Sequence, residues 1–142
     1  MRRRLAPALL AAGLAFAMPV QAELVVVAHP KAGVEQLTRS QVINIFLGRF
    51  RQLPTGAAAQ PIALPEDAAA RATFYRQLVG KEPAEIASYW SRLVFSGGTQ
   101  PPRQANGPDE AISLVSRDPG SIAYIDRSRV DHRLRIVYEF KD

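Results

Sequence analysis

ELVVVA, residues Glu23–Ala28, runs five residues without a polar side chain after its opening glutamate. It is too short for an ordinary helix and rich in β-branched valine, so it reads as a strand. Both of its faces are apolar, and both must be covered. That favours a sheet overlaid by helices rather than an open sheet with one wet face.

Downstream, Pro30 and Gly33 break regularity before a complete helix-start signature. Thr38 stands as N-cap with Gln41 three residues on, a capping box, while Leu37 and Val42 are placed for a hydrophobic staple. Val42, Ile43, Phe46 and Leu47 form one apolar stripe, and Gly48 can close the helix in the left-handed conformation. Arg49–Ala59 reads as loop. Gln60–Leu64 reads as a second strand, with Pro61 confined to its first positions or an edge. A helix is predicted over Asp67–Val79, with Phe74, Tyr75, Leu78 and Val79 on one side. Pro83 suits the first position of the next helix. Ile86, Tyr89, Trp90, Leu93 and Val94 then recur at helical spacing, a core stripe rather than an aromatic platform for bases or sugars. Pro101–Ala105 reads as extended. Pro108, Asp109 and Glu110 open a fourth helix, Asp118-Pro119-Gly120 is a turn, and Ser121–Ile125 and Leu134–Phe140 are the closing strands. Strands alternating with helices give an α/β domain with a mixed or largely parallel sheet flanked by helices.

Upstream of the opening strand, Arg2-Arg3-Arg4, the apolar run Ala8–Met18, Pro19 and the small-residue site Val20-Gln21-Ala22 have the form of a cleavable secretory signal. The apolar run is about half the roughly 20 residues a spanning helix needs. Two segments are therefore expected: a signal over residues 1–22 and one domain over 23–142, secreted and periplasmic. The chain of 142 residues carries 18 Lys plus Arg against 13 Asp plus Glu. Removing the three signal arginines leaves 15 basic residues and a net charge of +2, so the basic balance belongs largely to export. No nucleic-acid partner is expected. With no cysteine, a disulfide scaffold, a thiol nucleophile and a Cys-ligated metal are excluded.

Catalytic signals are sparse. His29 and His132 are far apart in sequence, and no His-x-x-x-His, Gly-x-Ser-x-Gly or phosphate-loop motif occurs. No enzyme activity, metal or cofactor is expected. His29 sits in a strand-exit loop, a ligand-facing place. Asp126 and Asp131 could hold a cation or, the favoured reading, pair with Arg127, Arg129 or Arg133. Those three arginines, with Arg135, form the one basic cluster and a candidate patch for a protein or anionic-lipid partner.

Three segments resemble the periplasmic phosphate-binding proteins of ABC transporters, of the type 2 periplasmic-binding-protein superfamily. Leu37–Gly48 (LTRSQVINIFLG) resembles their IF-x-G helix. Asp118–Ile125 (DPGSIAYI) resembles their PGSIGYV turn and strand. Ala72-Thr73-Phe74 resembles the stretch after their phosphate loop. The segments keep the family's order and spacing and span nearly all of residues 24–130. The resemblance implies a single three-layer lobe of that fold. It also implies a function, holding a tetrahedral oxyanion such as phosphate on helix N-termini with hydroxyls, an arginine and an aspartate. The candidate ligand residues are Arg71, Thr73 and Asp67, with His29 added from its loop. The implied partners are an ABC permease or a membrane sensor.

The sequence departs from the family pattern at the phosphate loop. The Arg-x-x-x-Ser-Gly-Thr motif falls on Glu66–Ala72, where Ala70, Arg71 and Ala72 replace serine, glycine and threonine, and Glu66 takes the arginine position. Glu66 and Asp67 can cap the helix themselves, and Arg71 either holds an external oxyanion or, the favoured reading, pairs with Glu66 or Asp67. The 120 residues after the signal supply about one lobe, so a cleft would need a second chain, which makes a homodimer a candidate. An orphan lobe that docks on a partner without binding phosphate is the alternative.

Overall fold

The computed structural model describes residues 23–141. The expected signal lies outside them. The elements are β1 (Leu24–Ala28), α1 (Arg39–Phe46), β2 (Gln60–Ala63), α2 (Ala69–Val79), α3 (Pro83–Phe95), β3 (Arg103–Gln104), α4 (Pro108–Arg117), β4 (Ser121–Asp126), a 3₁₀ turn (Arg127–Arg129) and β5 (Arg135–Glu139). The strands form one sheet in the order β3-β2-β4-β1-β5. β2 runs parallel to both β3 and β4, whereas β1 is antiparallel to both β4 and β5. The sheet is therefore mixed, as expected.

Every residue of β1 is buried, as is β4 up to Ile125, so helices cover both faces of the sheet centre. The connection β2-α2-α3-β3 steps outward along the sheet, and β3-α4-β4 steps back past β2. Parallel crossovers are right-handed, so opposite steps put their helices on opposite faces. The result is three layers. On one face Phe74 of α2 stacks on Tyr124 of β4 at 3.9 Å and meets Phe46 of α1 edge-on at 4.9 Å. Such aromatic pairs add to the area they bury and fix the helices against the sheet.

Local chemistry explains the element ends. The Thr38 hydroxyl accepts from the Gln41 N–H at 3.2 Å, and the Gln41 side chain accepts from the Thr38 N–H at 2.8 Å. Gly48 ends α1 at a φ of 74°, where a side chain would be strained. At the β4 entry, the Asp118 carboxylate accepts from the Gly120 N–H at 2.9 Å. A Cβ on Gly120 would overlap the carbonyl oxygen of Ala58, so only glycine lets these two backbones meet. The core stripe of α3 is shorter than expected. Ile86 and Trp90 are buried, but Val94 is 52% exposed because the end of the helix runs past the core.

Candidate functional site

In parallel sheets, ligands collect at the carboxyl ends of the strands, where the following helices point their N-termini. In this fold that edge gathers the ends of β2, β3 and β4 and the starts of α2 and α4. The start of α2 has an unusual electrostatic composition. Its N-cap is Ala68, which has no side chain to accept from the first N–H groups, and its first turn contains no acid. The third residue of the helix is Arg71. A guanidinium beside the positive end of a helix dipole is unfavourable unless an anion lies there.

The expected cap and ion pair are not formed. Ala68 N–H donates to the Pro65 carbonyl at 3.0 Å, and this turn keeps Glu66 and Asp67 out of the helix, which begins two residues later than predicted. Both acids are exposed, and neither lies within ion-pair distance of Arg71. Arg71 Nη1 donates instead to the Leu64 carbonyl at 3.2 Å, while the Leu64 N–H donates to Tyr124 Oη at 3.0 Å. Two side chains thus hold both backbone groups of the residue that follows β2.

One turn beyond Arg71 lies Tyr75, whose buried hydroxyl has no hydrogen-bond partner among the described residues. Burial pushes its pKa up to about 12, and the Arg71 charge pulls partly back. Burial also raises Tyr124, as does the neighbouring Tyr75, against the Leu64 N–H and Arg71. Both phenols therefore remain protonated at neutral pH. The Arg71 guanidinium, the helix start without a side-chain cap and the Tyr75 hydroxyl supply donors here, and the exposed carboxylates of Glu66 and Asp67 precede them in the chain. Sequence reasoning placed Tyr75 only in the core. Its position four residues after Arg71, on the same helix face, was the signal for more.

The other candidate residues do not join this group. Thr73 is two residues from Arg71, about 200° around the helix, and projects from another face. His29 follows β1 at the opposite end of the sheet, and its Nδ1 accepts from the Lys31 N–H at 2.9 Å. Asp126 pairs with Leu24 at the far end of β1, so His29 and Asp126 do not meet. The arginine cluster is not a free positive patch. Arg127 pairs with Glu23 at 3.0 Å and Glu139 at 2.6 Å, Arg129 with Asp109, Arg133 with Asp131 at 2.7 Å, and Arg135 with Glu35 at 3.7 Å. The Arg133 guanidinium holds the Asp131 carboxyl down at about 2. Among the described residues no group of three His, Asp or Glu side chains could hold a metal ion, and no helix is long and apolar enough to cross a membrane.

No protein-family model matches the sequence, and no curated protein matches it. Solved structures do. A phosphate ABC transporter substrate-binding protein with bound phosphate from Clostridium perfringens superposes with a TM-score of 0.66 at 21% identity, over 81% of this chain and 44% of that one. An ABC-type phosphate transport receptor from Vibrio cholerae gives 0.65 at 15% identity, over 81% and 45%. PstS from Borrelia burgdorferi gives 0.63 at 16% identity, over 81% and 46%. The fold is that of the phosphate-type periplasmic binding proteins. This chain spans less than half the length of each of these relatives, and the part that matches them is one mixed sheet with flanking helices.

Proposed function

We propose that this chain is a secreted, substrate-binding-protein-like module whose domain spans residues 23–142 and which takes a small oxyanion, phosphate first, at the start of α2. One observation carries this reading: an uncapped helix N-terminus with Arg71 in its first turn and no carboxylate paired to it. The N–H groups there and the remaining guanidinium donors would bind the anion, and the Asp67 carboxylate would accept a hydrogen bond from the hydroxyl of hydrogen phosphate. Thr73 and His29 fall outside this arrangement. The likeness in fold to phosphate-binding proteins supports the ligand class, and delivery to an ABC permease would follow from it. A role in binding rather than catalysis agrees with the separation of His29 from Asp126.

Isothermal titration with phosphate and with sulfate tests this. Micromolar phosphate binding that Arg71→Ala abolishes and Arg71→Lys partly keeps is the expected result. Silence up to millimolar phosphate, with the fold intact, would sink it. A second reading, an accessory or sensory module without phosphate binding, is favoured by Arg71 already holding the Leu64 carbonyl. That silence would select it.

A further inference from the structure

From Gln36 to Pro65 and from Ile86 to Pro108 the chain carries five arginines and no acidic residue. The fold brings these two stretches together at the end of the sheet opposite the start of α2. The Arg51 guanidinium donates to the Gly98 carbonyl at 2.6 Å, and the Tyr89 hydroxyl to the Leu47 carbonyl at 2.6 Å. These bonds tie the loop after α1 to α3. Phe50 at 52%, Val94 at 52% and Phe95 at 96% are the large apolar side chains that stand exposed among the described residues, and all three lie on this joined face. Phe50 and Val94 border one groove of 650 Å³, and Arg49 and Arg92 border a second of 540 Å³. The side chains of Arg49 and Arg92 form no hydrogen bond or ion pair among the described residues, unlike those of the Arg127–Arg135 cluster, and the acid that lines their groove, Glu85, pairs with Lys81.

We infer that this face docks on an anionic lipid surface. Charge complementarity selects the occupant. A second copy of the chain would bring positive charge against positive charge, and a neutral surface would leave Arg49 and Arg92 unmatched. Protruding apolar side chains with the unpaired Arg49 and Arg92 in the adjoining groove match the boundary between acyl chains and anionic headgroups. Phe95, at the end of α3, is almost wholly exposed, so it can enter that boundary without any rearrangement of the fold. The face lies at the other end of the sheet from the α2 start, so docking leaves the proposed oxyanion site open. The inference does not depend on that site.

Vesicle flotation of the full chain tests it, with phosphatidylglycerol–phosphatidylcholine vesicles against pure phosphatidylcholine. Residues 1–22 are common to every variant, so differences report on the face. Binding is expected with the anionic vesicles alone and should weaken as salt rises from about 0.01 to 0.15 M, where the Debye length falls from roughly 30 to 8 Å. Each arginine near such a surface contributes roughly fivefold. Arg49→Glu with Arg92→Glu should therefore lower binding by more than about twentyfold. Phe50→Ser with Phe95→Ser should lower it about tenfold. All four positions are exposed, and unchanged melting temperatures would verify the fold. No flotation with anionic vesicles at low salt, equal flotation with phosphatidylcholine, or binding that survives both double variants overturns the inference.

Discussion

Replacing Tyr75 by phenylalanine should stabilise the protein, and the gain should widen in alkali. The hydroxyl is buried without a partner among the described residues, and an unmet buried donor costs about 1–3 kcal/mol. Phenylalanine keeps the ring and its edge-on contact with Phe74 at 5.3 Å. A gain of about 1 kcal/mol at neutral pH corresponds to about 4 °C in melting temperature for a domain of this size. Burial also sets a pH dependence. The folded pKa stands at about 12 against 10.0 for the free phenol. A raised pKa means that the folded state holds its proton more tightly. Its contribution is complete below pH 10 and is lost as pH rises towards 12, a swing of about 3 kcal/mol. The variant has no such group, so the gap between its stability curve and that of the wild type should stay constant below pH 10 and widen above it. Tyr124→Phe is the contrasting change. It removes the acceptor of the Leu64 N–H at 3.0 Å and should cost about 1 kcal/mol at neutral pH. Urea unfolding followed by circular dichroism from pH 7 to 11.5 measures all three proteins. A Tyr75→Phe protein destabilised by 1 kcal/mol or more (about) at pH 7 would show that the hydroxyl has a partner. Parallel pH curves would show that its burial is wrongly described.

Gly120→Ala should cost about 2–4 kcal/mol, because the new Cβ meets the backbone carbonyl of Ala58 rather than a side chain that can turn away. A melting temperature within a degree or so of wild type would refute that close approach. Thr38→Ala removes the hydroxyl that accepts from Gln41 N–H and should cost about 1 kcal/mol, read by urea titration with an unchanged slope.

The legible parts of the fold were those fixed within a few residues. Thr38 and Gln41 specify the start of α1 by reciprocal bonds across one turn, and that start stands where the sequence puts it. Pro83 marks the first residue of α3 for the same local reason. The start of α2 was misplaced because Glu66 and Asp67 have the composition of a helix cap but sit in the turn that Ala68 closes onto Pro65. Strand order was not legible at all. That β1 lies between β4 and β5 depends on contacts across about a hundred residues, and no local pattern encodes them.

The arginines separate what a sequence shows of charge from what a fold does with it. Arg127, Arg129, Arg133 and Arg135 stand close together in the chain and resembled a patch, yet acids from β5, α4, the loop before α1 and the residue before β1 help neutralise them. Arg71 stands four and five residues from two acids, and that spacing implied a pair. The Pro65 turn takes both acids away from it, and a backbone carbonyl receives its guanidinium. Neighbouring charges along a chain therefore say little about which cations remain free. Long acid-free stretches say more, because an arginine there can pair only with an acid that the fold brings from elsewhere. Where two such stretches pack against each other, as residues 36–65 and 86–108 do, few acids come within reach. That is why the unpaired arginines lie beside Phe50 and Val94 rather than in the cluster that the sequence made conspicuous.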